Sequence, residues 1–532
     1  MPPEPMMPDV LVLGEEIESV LAAVSAARMG VKTVLLVSDE GRLGGLSTQG
    51  GLSYMDITLG CLPPLFSEFL DRAGVKRVGL EPARAEETLR QMLADAGVRV
   101  DTQSHLGEYP AQIFIDATPD ASLVSALELP CIEGLGGLLK GRQSGSENPP
   151  EFIGVSPVFR IHHLPISHLQ KAEAEIRALE GWSDILEAAL PFHDPSLWQE
   201  YVTRPTFQSD NPAEQDYLDI LNPSIGIAFH IWKQQKTIQE GAPRQNIASL
   251  STETRLAGAR TYAEAPIWID GGNVACLPEG VLSFNGMVMR VDALPPAPGQ
   301  VPEATILNRL LAYSQSGGVP AVLIQEMQLF EAFLRQHAGD SEIAIEAPKA
   351  LYIRQTRTML TQKNMTARQM LAGGVPEEDA IGVFSYWLDF RGVQLSRYFP
   401  GLYHLPKPVF RVGLGCALLA QAGLESWAVV GRSAGYSPVA QGAGRIIQHN
   451  AQVGEAVGIA AALAIKHGCP MREIPARSIL EVLEARNPKV MQQQWELLKS
   501  EQQKGAGTQS TEMPAGLSEL LDADDAVMKR EY

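Results

Sequence analysis

The chain has 532 residues, 45% hydrophobic and 20% charged, with a formal net charge of −19 at pH 7. That length exceeds what one hydrophobic core supports, so a globular protein of two or more domains is expected. The negative balance argues against a nucleic-acid partner or an anionic membrane surface, though not against a bound anionic cofactor. No uncharged apolar run reaches membrane-spanning length. The five cysteines, Cys61, Cys131, Cys276, Cys416 and Cys469, are scattered without a C-x-x-C pair. They predict inert thiols in a reducing, cytoplasmic compartment rather than a disulfide framework or a thiolate zinc site.

Residues 1–8 are proline-rich and lack a basic region followed by an apolar core, so they read as a loose leader and not a secretory signal. An apolar run over 10–13 then meets Gly14, an alanine-rich helical pattern follows, and a second apolar run covers 31–37. Strand, tight turn, helix, strand is the βαβ unit that binds dinucleotides. The turn departs from the G-x-G-x-x-G fingerprint. Glu16 and Ser19 stand where the second and third glycines belong, and Glu15, Glu16 and Glu18 occupy the stretch that would face a pyrophosphate. At the end of the second strand an acidic residue normally binds the ribose. Ser38 holds that position, with Asp39 and Glu40 beyond, and Asp39 substitutes if the strand ends one residue later.

Residues 41–51 are rich in glycine and small polar side chains, which implies a backbone passing close to a ligand with its donors exposed; a flexible surface loop is the plainer alternative. A helix is predicted over 82–96 and a strand over 98–100. After about a hairpin's worth of connection, a buried strand over 111–118 ends in Asp-Ala-Thr-Pro-Asp. Ligands gather at such strand ends in parallel sheets. The Gly-, Ser- and Pro-rich stretch 133–150 predicts a domain crossing. Beyond it come a strand over 157–161, a helix over 169–190, an ambiguous segment over 223–242, a strand over 281–291, and a helix over 304–337 broken at 317–320. His162, His163 and His168 have no carboxylate or cysteine at a ligand spacing, so solvated or capping roles are expected and no metal site. Strands are predicted over 350–359, 382–390 and 427–432. A small-residue helix follows over 453–467, then polar helix over 473–503, and a linker with a short, peripheral acidic helix over 505–532.

In this order the blocks resemble the FAD-dependent oxidoreductases whose fold is like that of glutathione reductase. Residues 9–30 resemble the FAD-binding βαβ unit, Arg42-Leu-Gly-Gly45 its next loop, and Ile115-Asp-Ala-Thr-Pro-Asp120 the family's Asp-Ala-Thr-Gly-Asp strand end. Tyr352-Ile-Arg-Gln-Thr-Arg357 is similar to the family's Arg-Glu-Thr-Arg strand. Val430-Gly-Arg-Ser433, Gly444-Arg-Ile-Ile447 and the helix after Gly454 resemble its flavin-contacting C-terminal segment. The resemblance implies an α/β fold, with a discontinuous Rossmann-like FAD-binding domain and an inserted mixed α/β substrate domain. The boundaries expected are a leader over 1–8, FAD-binding parts over 9–150 and 350–468, a substrate or cap domain over 151–349, C-terminal helices over 469–503, and a linker with an acidic tail over 504–532.

It further implies FAD as cofactor, an unidentified small molecule as substrate, and cofactor contacts from Gly14, Glu15, Glu16, Ser19, Ser38, Asp39, Arg42, Gly44, Gly45, Ser47, Thr48, Ala117, Thr118, Gly431, Arg432, Arg445 and Asn450. Arg432 and Arg445 would stabilise an anionic flavin or a substrate carboxylate, or else form structural ion pairs. His449 titrates near neutrality and is a candidate acid or base, against the plainer reading of a helix-surface histidine. Three readings of the glutamates stand: they cap a structural helix, a carboxylate occupies the anion site, or the side chains turn outward and leave room for FAD. The alternative function is a cofactor-free member of the fold serving as a binding or assembly scaffold.

Overall fold

The computed structural model describes residues 7–75, 79–102, 109–142, 149–194, 217–218, 223–235, 244–316, 318–507 and 515–531. Four strands come first: β1 (Val10–Leu13), β2 (Thr33–Val37), β3 (Arg99–Thr102) and β4 (Ile113–Asp116). Then follow β5 (Cys131–Glu133), β6 (Phe159–His162), β7 (Tyr217–Leu218), β8 (Ile267–Leu277), β9 (Val281–Met289), β10 (Ala344–Glu346), β11 (Arg357–Met359), β12 (Ala380–Ser385), β13 (Val409–Gly413) and β14 (Trp427–Val429). The first sheet has the order β14-β4-β1-β2-β3, and every pairing in it is parallel. The β-branched and leucine side chains of β1 and β2 are buried throughout, as parallel strands covered on both faces require. This is a Rossmann-like parallel sheet.

The register brings the working ends of the strands together. Leu13 lies beside Leu36 and Asp116, and Asp116 lies beside Val429. The residues that follow, Gly14, Val37, Ala117 and Val430, therefore share one edge of the sheet, where open α/β sheets bind ligands. The second sheet, order β10-β6-β9-β8-β7, is antiparallel. Its buried residues form a separate apolar core between Phe152 and Ile353, whereas the first sheet shares its core with the C-terminal helices.

Local signals set many boundaries. The helix Pro82–Ala96 starts with proline in its first turn and a Glu81 carboxylate that accepts from Arg84 N at 2.8 Å. Gly97, at φ 71°, ends it. Several expectations need correction. The stretch 350–359 is strand only at Arg357–Met359. The helix expected over 169–190 is two, Ile166–Arg177 and Trp182–Ala189, separated by Gly181 at φ 72°. The small-residue helix starts earlier, at Ile447, and runs to His467. The ambiguous segment is helical over Pro223–Lys233, and its part over 236–243 lies outside the described residues. Residues 103–108, the core of the expected hairpin-length connection, also lie outside them. β3 and β4 are not paired but sit on opposite sides of β1 and β2.

The acidic tail is not peripheral. The helix Ala515–Glu531 buries Leu517, Leu520, Leu521, Val527 and Met528 in the first core. Its Asp524 is buried and accepts from Ser437 Oγ at 2.5 Å and Val439 N at 2.9 Å, so its acidic face meets partners.

The helix Ile17–Arg28 packs on β1 and β2, and the helix Ile447–His467 packs on it backbone to backbone. A Cβ on Gly454 would lie 2.6 Å from Glu18 O, and one on Gly458 would lie 2.3 Å from Ala22 O. Gly458→Ala gains about 1 kcal/mol of helix propensity but forces apart two backbones that cannot yield, at a cost of about 1–3 kcal/mol. The net expectation is lower stability, read as a reduced urea midpoint; an unchanged or raised midpoint would refute so close a contact.

Candidate functional site

Three loops meet at the sheet edge. Gly14, at φ 126°, passes so close to β4 that a Cβ would sit 2.4 Å from Ala117 O. Ala117 N donates to Leu13 O at 2.8 Å, and Val430 N donates to Asp116 O at 2.9 Å. The buried Asp116 accepts from Thr118 N and Oγ1, at 3.1 and 2.6 Å, and from Val124 N at 2.9 Å. Thr118 thus supports the turn after β4, and Ser433 Oγ fastens that turn by donating to Pro119 O at 3.0 Å.

The loop after β2 is ordered and built around the glutamates, not a flexible surface loop. Gly44 and Gly45 have φ of 89° and 42°, and Gly44 N donates to Glu15 O at 2.6 Å. Leu46 N then donates to Glu16 Oε2 at 2.9 Å. From the other side Arg432 Nη2 donates to Glu16 Oε1 at 2.8 Å. A Cβ on Gly45 would lie 2.4 Å from Glu16 Cδ. Glu15 reaches the end of β2, where its Oε2 accepts from Ser38 Oγ at 2.6 Å. Glu18 is buried behind both, its Oε2 has no partner among the described residues, and a Cβ on Gly431 would lie 3.0 Å from its Oε1.

Two readings of the glutamates are thereby corrected. None turns outward, because the donors of the crevice draw Glu15 and Glu16 inward and packing encloses Glu18. Glu16 stands at the N-cap position of the Ile17–Arg28 helix but makes no side-chain cap bond. Ser19 Oγ instead donates to Glu16 O at 2.6 Å. Burial, reinforced by the nearby Glu16 charge, pushes the Glu18 carboxyl up to about 8, so it holds its proton at neutral pH.

The other residues singled out from the sequence lie around this centre in different ways. Ser47 is buried beneath the loop, with Oγ 3.9 Å from Met55 Sδ, and Thr48 Oγ1 turns back to donate to Leu43 O at 2.6 Å. Arg42 is on the rim, paired with Glu40 at 2.8 Å, and Asp39 is exposed. Arg445 lies apart from the glutamates, paired with Asp389 and donating to Tyr352 Oη at 2.8 Å. Asn450 is buried in the helix that follows, its Oδ1 without a partner among the described residues.

His449 is not a surface histidine. It is buried, its Nε2 is 2.9 Å from Tyr436 Oη, and desolvation pulls its pKa down to about 3. A neutral imidazole so enclosed is packed, not poised for proton exchange at pH 7. Two acids carried no sequence signal. Asp56 and Asp389 both stand near Arg445, and burial raises Asp56 to about 6 against the pull of that guanidinium. Neither belongs to a motif, and only folding brings them to Arg445.

The donors at the crevice fit an anion. Glu16's carboxylate, held between Gly45 and Arg432, already takes the Leu46 N and Arg432 Nη2 donors, so as placed they are not offered to a pyrophosphate. A cavity of about 1080 Å³, lined by Trp268, Arg290, Arg397, Tyr398 and Arg530 among others, opens elsewhere, between the two cores. Among the described residues no helix is long and apolar enough to cross a membrane.

The model of one protein family, described as FAD dependent oxidoreductase, matches residues 9–483. No curated protein matches the chain. Similar solved structures include Thermovibrio ammonificans THI4, at 16% identity over 27% of this chain and 73% of that one, with a TM-score of 0.19. Another is OxyS anhydrotetracycline hydroxylase from Streptomyces rimosus, at 9% identity over 93% of this chain and 69% of that one, with a TM-score of 0.32. A third, FqzB, is 11% identical over 94% of this chain and 88% of that one, with a TM-score of 0.29. Likenesses of this strength carry nothing further.

Glu18 makes the site sensitive to pH in one direction. Its folded pKa, about 8, stands above the ordinary 4.5. The stability tied to its proton is full below the lower value and is lost as pH rises through the upper one. Glu18→Gln is therefore expected to match the natural chain at about pH 4 and exceed it by a few kcal/mol at about pH 9. Thermal unfolding at both pH values checks this, and a constant difference would refute the buried, protonated acid.

Proposed function

Because the chain belongs to the FAD-dependent oxidoreductase family, whose cofactor is FAD, we propose that it oxidises or reduces an as yet unidentified small molecule. One observation carries the reading at the site itself. Leu46 N–H and the Arg432 guanidinium converge on a single carboxylate at the carboxyl ends of β1, β4 and β14. Those donors come from the two segments that resemble the family's cofactor loops, and an anion site at a strand end is what a dinucleotide needs. The cavity between the cores has the volume of a small-molecule site. No disulfide joins any of the five cysteines, which suits a reducing, cytoplasmic compartment.

A second reading, a cofactor-free member acting as a binding or assembly scaffold, is favoured by a different observation. Glu16's carboxylate takes both donors of the crevice, Leu46 N and Arg432 Nη2, and Glu18 lies buried behind it. Purified protein incubated with excess FAD and then desalted separates the two. The oxidoreductase reading expects flavin absorbance to remain with the protein. A colourless chain that also fails to take up added FAD would sink it in favour of the scaffold.

A further inference from the structure

We infer that Glu16 is a resident occupant of the anion site, a carboxylate of the chain held where the pyrophosphate of FAD would lie, so that side chain and cofactor compete. The inference rests on the reading of this crevice as the family's FAD site.

The comparison of two helix starts shows that Glu16 is drawn into place by the crevice and not by its own helix. Glu16 and Glu81 are both N-cap residues in extended conformation. Glu81 turns to its helix and caps it at Arg84 N, the usual role of an acceptor there. Glu16 makes no such bond and reaches across to the neighbouring loop and to Arg432, 416 positions away. Each of its oxygens takes one donor, as a phosphate group would. The backbone at Gly45 approaches it too closely for any Cβ, the close passage that glycine provides around a bound phosphate.

Glu18 is the second, independent sign of an altered anion site. It is buried, aimed at Gly431, and has an oxygen without a partner among the described residues. With Glu16 in place the guanidinium is already matched by one charge. FAD must then either displace a buried, ion-paired side chain or bring like charge beside it, and both weaken binding.

Flavin fluorescence titration with FAD, on the full chain, tests this in the natural protein, Glu16→Gln, Glu16→Gly and the exposed control Glu87→Gln. Glu16→Gly is expected to bind FAD at least about tenfold more tightly than the natural chain, equivalent to about 1.4 kcal/mol. Glu16→Gln, which removes charge but not bulk, should fall between them, and Glu87→Gln should match the natural chain. Without FAD the melting temperature of Glu16→Gly should drop, because Arg432 and Leu46 N lose their partner, and FAD should restore it. If Glu16→Gly does not fold, the glutamine variant decides. Folded variants that bind FAD no more tightly than the natural chain overturn the inference. In that case tight binding by all four leaves the oxidoreductase reading standing, and binding by none removes both. FAD taken up only after Glu16 is replaced supports the inference and assigns the natural chain to the scaffold reading.

Discussion

The contact between Glu16 and Arg432 joins segments 416 positions apart and closes the crevice on which the first sheet opens. A buried ion pair of this kind is weak evidence for stability, because desolvation of both charges offsets much of their attraction. Its consequence is positional. Removing either partner would leave a charge buried and uncompensated, typically at a cost of about 3–5 kcal/mol. The loop after β2, the turn after β14 and the start of the first helix are therefore held in one arrangement.

That arrangement depends in turn on how two helices meet. Gly454 and Gly458 let the Ile447–His467 helix lie against the carbonyls of Glu18 and Ala22. Ser25 Oγ donates to Glu455 O at 2.7 Å, and Arg486 Nη1 donates to the buried Glu455 carboxylate at 2.8 Å, so polar groups in the contact are matched. Glu455 also accepts from Leu65 N at 2.9 Å, which ties a third helix to the same point. With the backbones this close, the first helix cannot rotate to move Glu16 or Glu18 outward. The side chains face the crevice because the helix that carries them is locked.

The sequence is most informative where the signal is local. Pro82–Ala96 has matching ends in the sequence and in the fold, because Pro82 and Gly97 bracket a helical pattern. The order of β1, the first helix and β2 is legible for the same reason, as apolar runs separated by Gly14 and Gly30 can scarcely fold otherwise. The break at Gly181 and the early start at Ile447 are harder, since both lie inside runs that favour helix. The last helix shows the limit. Asp522, Asp524 and Asp525 read as a solvated face, yet Arg368 pairs with Asp522 and Asp525, and Ser437 and Val439 bind Asp524. At the crevice, the departures at Glu16 and Ser19 are plain in the sequence, but the direction of Glu16 depends on Leu46 and Arg432. No local pattern encodes those partners.

The charges within the crevice explain why this direction matters for any anionic ligand. With Glu18 holding its proton, Glu16 and Arg432 match one another's charge. The Arg432 Nη2 donor that meets Glu16 is open to a pyrophosphate only when Glu16 has left, and a departing Glu16 must find donors or water to replace Leu46 N. Two states therefore compete for the same donors, one closed by the chain itself and one open to an external anion. A pyrophosphate has more acceptor oxygens and more charge than one carboxylate, but the carboxylate is tethered and is always at the site. Which state prevails depends on that tether, and it is set by a single residue at the first turn of the fold.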